Sequence, residues 1–128
     1  MFDYYKPTKA ERRAILAGFD IVSRYSRSES DLLAALTAEQ RGYGFANDRI
    51  PKIAAEALIC KWVLDGAREP DMPASRICGL RPSAIFAISV GLVSASRMTA
   101  ADFAALKTAS AAHETAFERH MRVSTTAA

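Results

Sequence analysis

The chain has 128 residues, half of them apolar, with 17 basic and 14 acidic side chains and a net charge of +3. That length suits one domain, able to bury roughly two-thirds of its unfolded surface without disulfide or metal staples. The charge divides as +1 over residues 1–50 (eight basic, seven acidic) and +2 over the remainder (nine basic, seven acidic), which excludes a basic arm.

Six glycines and five prolines among many alanines fit packed helices better than sheet or disorder. Cys60 and Cys78 sit in apolar surroundings at no metal spacing, so buried free thiols and a reducing cytosol are expected. The start, MFDYYKPTKAERR, has no apolar signal core, and no apolar run reaches the ~20 residues needed to span a bilayer. A cytoplasmic chain without membrane contact follows.

Phe2, Tyr4 and Tyr5 precede the first helix and are expected to dock, on the chain's own core or on a partner. Thr8 with Glu11 makes a capping box, and a helix from Lys9 to about Tyr25 is predicted to bury Ile15, Leu16, Phe19 and Val22. Arg12, Arg13, Asp20 and Arg24 form its polar face, with Arg13 and Arg24 minor candidates for phosphate or partner contact. Ser28 with Asp31 repeats the capping pattern, and a short helix to about Arg41 is predicted to bury Leu32, Leu33 and Leu36.

The loop from Gly42 to Asp48 holds two glycines but no Gly-Lys-Ser/Thr, so it is not a phosphate cradle. Asn47 or Asp48 is expected to cap the next helix, with Pro51 in its first turn. Ile53, Ala57, Leu58, Cys60, Trp62, Val63 and Leu64 leave only Lys52, Glu56, Lys61 and Asp65 polar, marking a central core helix that Gly66 should end. After it, Met72 to Ala101 contains no acid but carries Arg76, Arg81 and Arg97. Thr99 with Asp102 is a third capping box. The last helix is expected from Ala100 to about Val123, with a stripe of Phe103, Leu106, Ser110, His113, Phe117 and His120 or Met121, and Ser124 to Ala128 should be disordered. That stripe either packs across its own domain or forms a homodimer seam.

The stretch Met72–Gly91 carries the one functional pattern. Ala74 and Cys78 lie one turn apart, Ser75 is small, Gly79 suits a turn, Leu80 follows it, and Pro82 suits the first turn of a second helix. Ile85 and Ile88 would close against the first helix, and Gly91 would end the second. These intervals resemble the helix-turn-helix of the phage-repressor type, over about 20 residues. The resemblance implies that the second helix lies in the major groove. Its outer face, carried over by position, is Arg81, Ser83, Ala84, Phe86, Ala87 and Val90. Arg81 and Ser83 would then contact bases or phosphate, and Arg76 and Arg97 phosphate. The run from Ala84 to Val93 is nonetheless apolar on nearly every side, as in a buried helix, so a core hairpin of the same spacing is the competing reading.

The expected fold is therefore all-α: a compact orthogonal or irregular bundle of five to six helices, with a helix-turn-helix-like hairpin and a long C-terminal helix, in one domain. Two functions compete. One is a small DNA-binding transcriptional regulator. The other is a non-enzymatic protein–protein interaction module, an inhibitor, adaptor or antiactivator, binding a protein partner or a second copy through Phe86 and Val90 or through Phe103, Leu106 and Phe117. No cofactor and no catalytic group are expected. His113, Glu114, Glu118 and His120 begin like a zinc-protease helix, but that motif needs a histidine where Phe117 stands. The two histidines are also two turns apart, about 10 Å.

Overall fold

A computed structural model describes residues 5–41, 50–68 and 97–127 of the chain. Within them lie four helices: α1 (Lys9–Tyr25), α2 (Glu29–Arg41), α3 (Lys52–Arg68) and α4 (Ala100–Ala127). The described residues hold no strand. The five to six helices expected from sequence included the two of the Met72–Gly91 hairpin, which lies outside the described residues.

Three of the four helices start where local chemistry offers a cap; Asn47 and Asp48, expected to cap α3, lie outside the described residues. At α1 the Thr8 hydroxyl accepts from the Glu11 amide at 3.1 Å, and the Glu11 carboxylate accepts from the Thr8 amide at 2.8 Å. The Ser28 hydroxyl accepts from the Asp31 amide at 3.0 Å before α2, and Thr99 and Asp102 reciprocate at α4 at 3.2 and 2.9 Å. Such caps satisfy amides that the first helical turn leaves orphaned.

Helix α3 packs against all three others. It is apolar nearly all round, with Ile53, Ala54, Ala55, Ala57, Ile59, Cys60, Trp62, Val63 and Leu64 buried, so it can only be central. Helices α1 and α4 run antiparallel, since Glu11 meets Arg119 at one end and Tyr25 meets Asp102 at the other. Helix α1 runs parallel to α3: Arg12 acts on Glu56, and one and a half turns later Gly18 lies against Cys60. Ile15, Ile59 and Leu106 are fully enclosed where the three helices meet. Each such side chain contributes about 1.5–3 kcal/mol by leaving water.

The structure corrects several expectations. Leu16 and Leu33 are exposed, at 44% and 63%. In α1 the inward stripe runs Ile15, Gly18, Ile21 and Val22, and in α2 Leu32, Ala35, Leu36 and Glu39. Leu16 and Leu33 each sit one residue, about 100°, off the stripe. The stripes hold small residues, Gly18 at a close approach to Ala109 and Cys60, and Ala35 fully buried. Gly66 does not end α3, which continues in helical conformation to Arg68, and α4 runs on to Ala127 through residues expected to be disordered. On α4 the buried residue is His120, while Met121 is 48% exposed.

Candidate functional site

Arg76, Arg81, Ser83, Phe86 and Val90 lie outside the described residues, as does Cys78. Arg97 is exposed, in a short turn ahead of Thr99. Its charge bears on Tyr25, and that of Arg24 bears on both Tyr25 and Asp102. The Tyr25 hydroxyl donates to Asp102 Oδ2 at 2.7 Å, and the Thr99 amide donates to the same oxygen at 2.9 Å. The carboxyl of Asp102 is held below its ordinary range, first by the Thr99 amide and then by the Tyr25 hydroxyl. This knot fixes the start of α4 beside the end of α1. The chain therefore re-enters the described fold, after residue 96, at a pinned point carrying two exposed cations.

Leu106 is fully buried in the core, and Phe103 and Phe117 are half-buried and packed against it. The stripe thus packs across its own domain, and what it leaves at the surface is an edge of two rings. A shallow apolar pocket of about 340 Å³ lies between α3 and α4, with Leu64, Ala100, Phe103, Ala104 and Lys107 among its walls.

Further along α4, Tyr5 is buried and its hydroxyl lies 2.7 Å from His113 Nδ1. The rings of Tyr5, His113, Phe117 and His120 follow one another at centroid separations of 5.3, 6.0 and 5.8 Å. Of the three N-terminal aromatics, Tyr5 docks on its own chain; Phe2 and Tyr4 lie outside the described residues. Arg119 then clamps the strap: it donates to both Glu11 oxygens at 3.1 and 2.8 Å and to the Lys6 carbonyl at 3.3 Å. The Glu11 carboxyl is accordingly held low, chiefly by Arg119.

Two buried acids were not legible from spacing. Glu39 on α2 is fully enclosed and accepts from the Trp62 indole N–H at 3.5 Å. Glu56, expected on a polar stripe of α3, is only 7% exposed. Burial raises its carboxyl pKa in spite of the opposing charges of Lys52 and Arg12. A raised carboxyl pKa in the folded state means that ionisation opposes folding, so this stability is complete below the unfolded value of ~4.3 and is lost as pH rises through the folded value. Glu56→Gln is therefore expected to raise the urea midpoint at pH 7 and to leave it unchanged at about pH 3.5. A midpoint lowered at pH 7 would show that the ionised carboxylate is a net stabiliser.

Cys60 is buried, and desolvation, with Glu56 nearby, pushes its thiol pKa up, the reverse of a reactive cysteine. Among the described residues no three His, Cys, Asp or Glu side chains are grouped to hold a metal ion, and none of the described helices is long and apolar enough to cross a membrane. Comparison with protein-family models, curated proteins and solved structures gives no match.

Proposed function

We propose that the protein is a small DNA-binding transcriptional regulator of helix-turn-helix type, with Met72–Gly91 as its reading element. The reading rests on the spacing of Ser75, Gly79, Leu80, Ile85 and Ile88. One structural observation supports it. The chain enters this segment from α3, the most enclosed helix, and leaves it at the Thr99–Asp102–Tyr25 knot. Groups that recognise a ligand need rigid supports to hold their geometry, and the described helices that precede and follow the segment in sequence, buried α3 and the pinned start of α4, can serve as such supports. Arg81 and Ser83 are assigned to base edges or phosphate, and Arg76 and Arg97 to phosphate.

Fluorescence anisotropy with a mixed-sequence duplex, between ~50 and ~200 mM salt, tests the reading, because phosphate-driven binding falls steeply over that range. Once a preferred sequence is selected, Arg81→Ala is expected to weaken binding by ~1–3 kcal/mol, the usual worth of a specific arginine contact. Unchanged affinity in a folded Arg81→Ala protein removes the reading element from Arg81. A wild-type protein that binds no duplex at low salt removes DNA binding altogether.

A further inference from the structure

We infer that the end of the molecule where α1 and α3 begin is a second, sequence-independent contact surface for the DNA backbone. The inference rests on the DNA-binding reading and extends it to residues outside the helix-turn-helix segment. Lys9, Arg12 and Arg13 are exposed within the first turn and a half of α1. Lys52 is exposed at the start of the parallel helix α3, close enough that it and Arg12 act together on Glu56. Four positive charges are thus gathered in one place on a chain whose net charge is +3.

What distinguishes this corner is how its acids are disposed. Elsewhere on the surface, Arg24 and Arg27 are matched to Asp20 and Asp31 one turn away, at 3.2 and 3.7 Å. Here, among the described residues, none of the four cations is held in an ion pair. Glu11, the acid nearest in sequence, is turned to the far side of α1 and held by Arg119 with two hydrogen bonds. Glu56 lies beneath the patch, enclosed, and burial raises its carboxyl pKa against the charges of Lys52 and Arg12. With Glu11 engaged by Arg119, Lys9, Arg12, Arg13 and Lys52 remain as exposed cations, the groups a phosphate chain recruits. Peptide and bilayer surfaces need apolar anchors as well, and beside these four side chains the only large exposed apolar group on α1 is Leu16.

The test compares the full chain with Arg12→Ala/Lys52→Ala, and with the same pair combined with Glu114→Gln/Glu118→Gln, two exposed acids of α4 whose removal restores the net charge to +3 (+3 less two, plus two). Anisotropy with a labelled duplex of about 25 base pairs is read between ~50 and ~200 mM salt. Both variants should show a log affinity–log salt slope shallower by about 2, and an affinity at ~50 mM lower on the order of tenfold, as for two lost phosphate contacts. Gln at both positions is the second variant should the alanines disturb folding, and it should behave alike. If the wild-type protein binds and the variants bind equally with the same slope, the patch is overturned while the DNA reading stands. If the Glu114/Glu118 changes restore binding, net charge alone is responsible and the patch is overturned. No duplex binding by the wild-type protein at ~50 mM overturns both. Patch-dependent binding to phosphatidylserine vesicles in place of duplex assigns the surface to a membrane and likewise overturns it.

Discussion

Between about pH 6.5 and about pH 4 the protein is expected to lose about 3 kcal/mol of stability through one side chain, His113. This ring is 8% exposed on the inner face of α4. It faces Tyr5 of the N-terminal strap, Phe117 of its own helix and the positive field of Lys61 on α3, with His120 one ring further on. Burial and then Lys61 lower its pKa to about 4. Burial also holds the Tyr5 phenol in its protonated form, and the phenol and Nδ1 share a hydrogen bond. An imidazolium at this position would be desolvated and would stand in the positive field of Lys61.

The direction of the effect follows from linkage. In the unfolded chain the ring titrates near 6.5, and in the folded chain near 4. Its contribution is fully present above the unfolded value and drains away as pH falls through the folded one. The gap, at 1.36 kcal/mol per unit, is worth about 3 kcal/mol. Urea titrations at intervals from pH 7 to pH 4 measure it. In His113→Gln the amide oxygen can still accept from Tyr5 but nothing titrates, so the curve should be nearly flat from pH 6.5 to pH 5. A wild-type curve as flat as that of the variant would show that the ring is hydrated. Below pH 4.5 both proteins should weaken together, because Glu11 and Asp102 are carboxylates held low by Arg119 and by the Thr99 amide.

The sequence made visible what depends on short-range chemistry. Three capping patterns, Thr8 with Glu11, Ser28 with Asp31 and Thr99 with Asp102, located three helix starts, because a cap involves residues three apart and little else. The crowding of apolar residues on α3 marked it as central. Less legible was anything requiring knowledge of the neighbour. Hydrophobicity alone points Leu16 and Leu33 inward, whereas the buried stripes instead carry Gly18, at a close approach to α3 and α4, and Ala35. Glu56 and Glu39 carried no local sign of burial. The Tyr5–His113 and Glu11–Arg119 pairs join residues 108 apart, and no spacing rule spans that distance. The basic corner was half legible: Arg12 and Arg13 could be placed on an outer face, but not the arrival of Lys52 beside them.

The close crossing at Gly18 gives the other large expected effect, and one whose sign separates two lines of reasoning. Helix propensity alone favours alanine over glycine in a helix interior by about 1 kcal/mol. Packing argues the reverse, since a Cβ at position 18 would stand 2.5 Å from Ala109 Cβ and 3.3 Å from both the Ala105 carbonyl oxygen and Cys60 Sγ. None of these neighbours can swing aside: Ala109 has no rotatable side chain, Ala105 contributes backbone, and Cys60 is fully buried. The α1–α4 interface would have to open by the better part of an ångström, along a pairing fixed at its two ends by Tyr25–Asp102 and Glu11–Arg119. Overpacking of this kind typically costs about 1–3 kcal/mol. We therefore expect Gly18→Ala to be less stable than the wild type by about 1 kcal/mol after its propensity gain, and Gly18→Val by about 3 kcal/mol. Ala109→Gly is the specific remedy. By itself it should destabilise through propensity and lost burial, but combined with Gly18→Ala it returns the missing space, so the pair should couple favourably by 1 kcal/mol or more in a double-mutant cycle. Chemical denaturation of the four proteins decides it. A Gly18→Ala protein more stable than the wild type would mean that α1 and α4 stand further apart than described, and with them the enclosure of Cys60, Leu106 and His113 that the rest of the fold depends on.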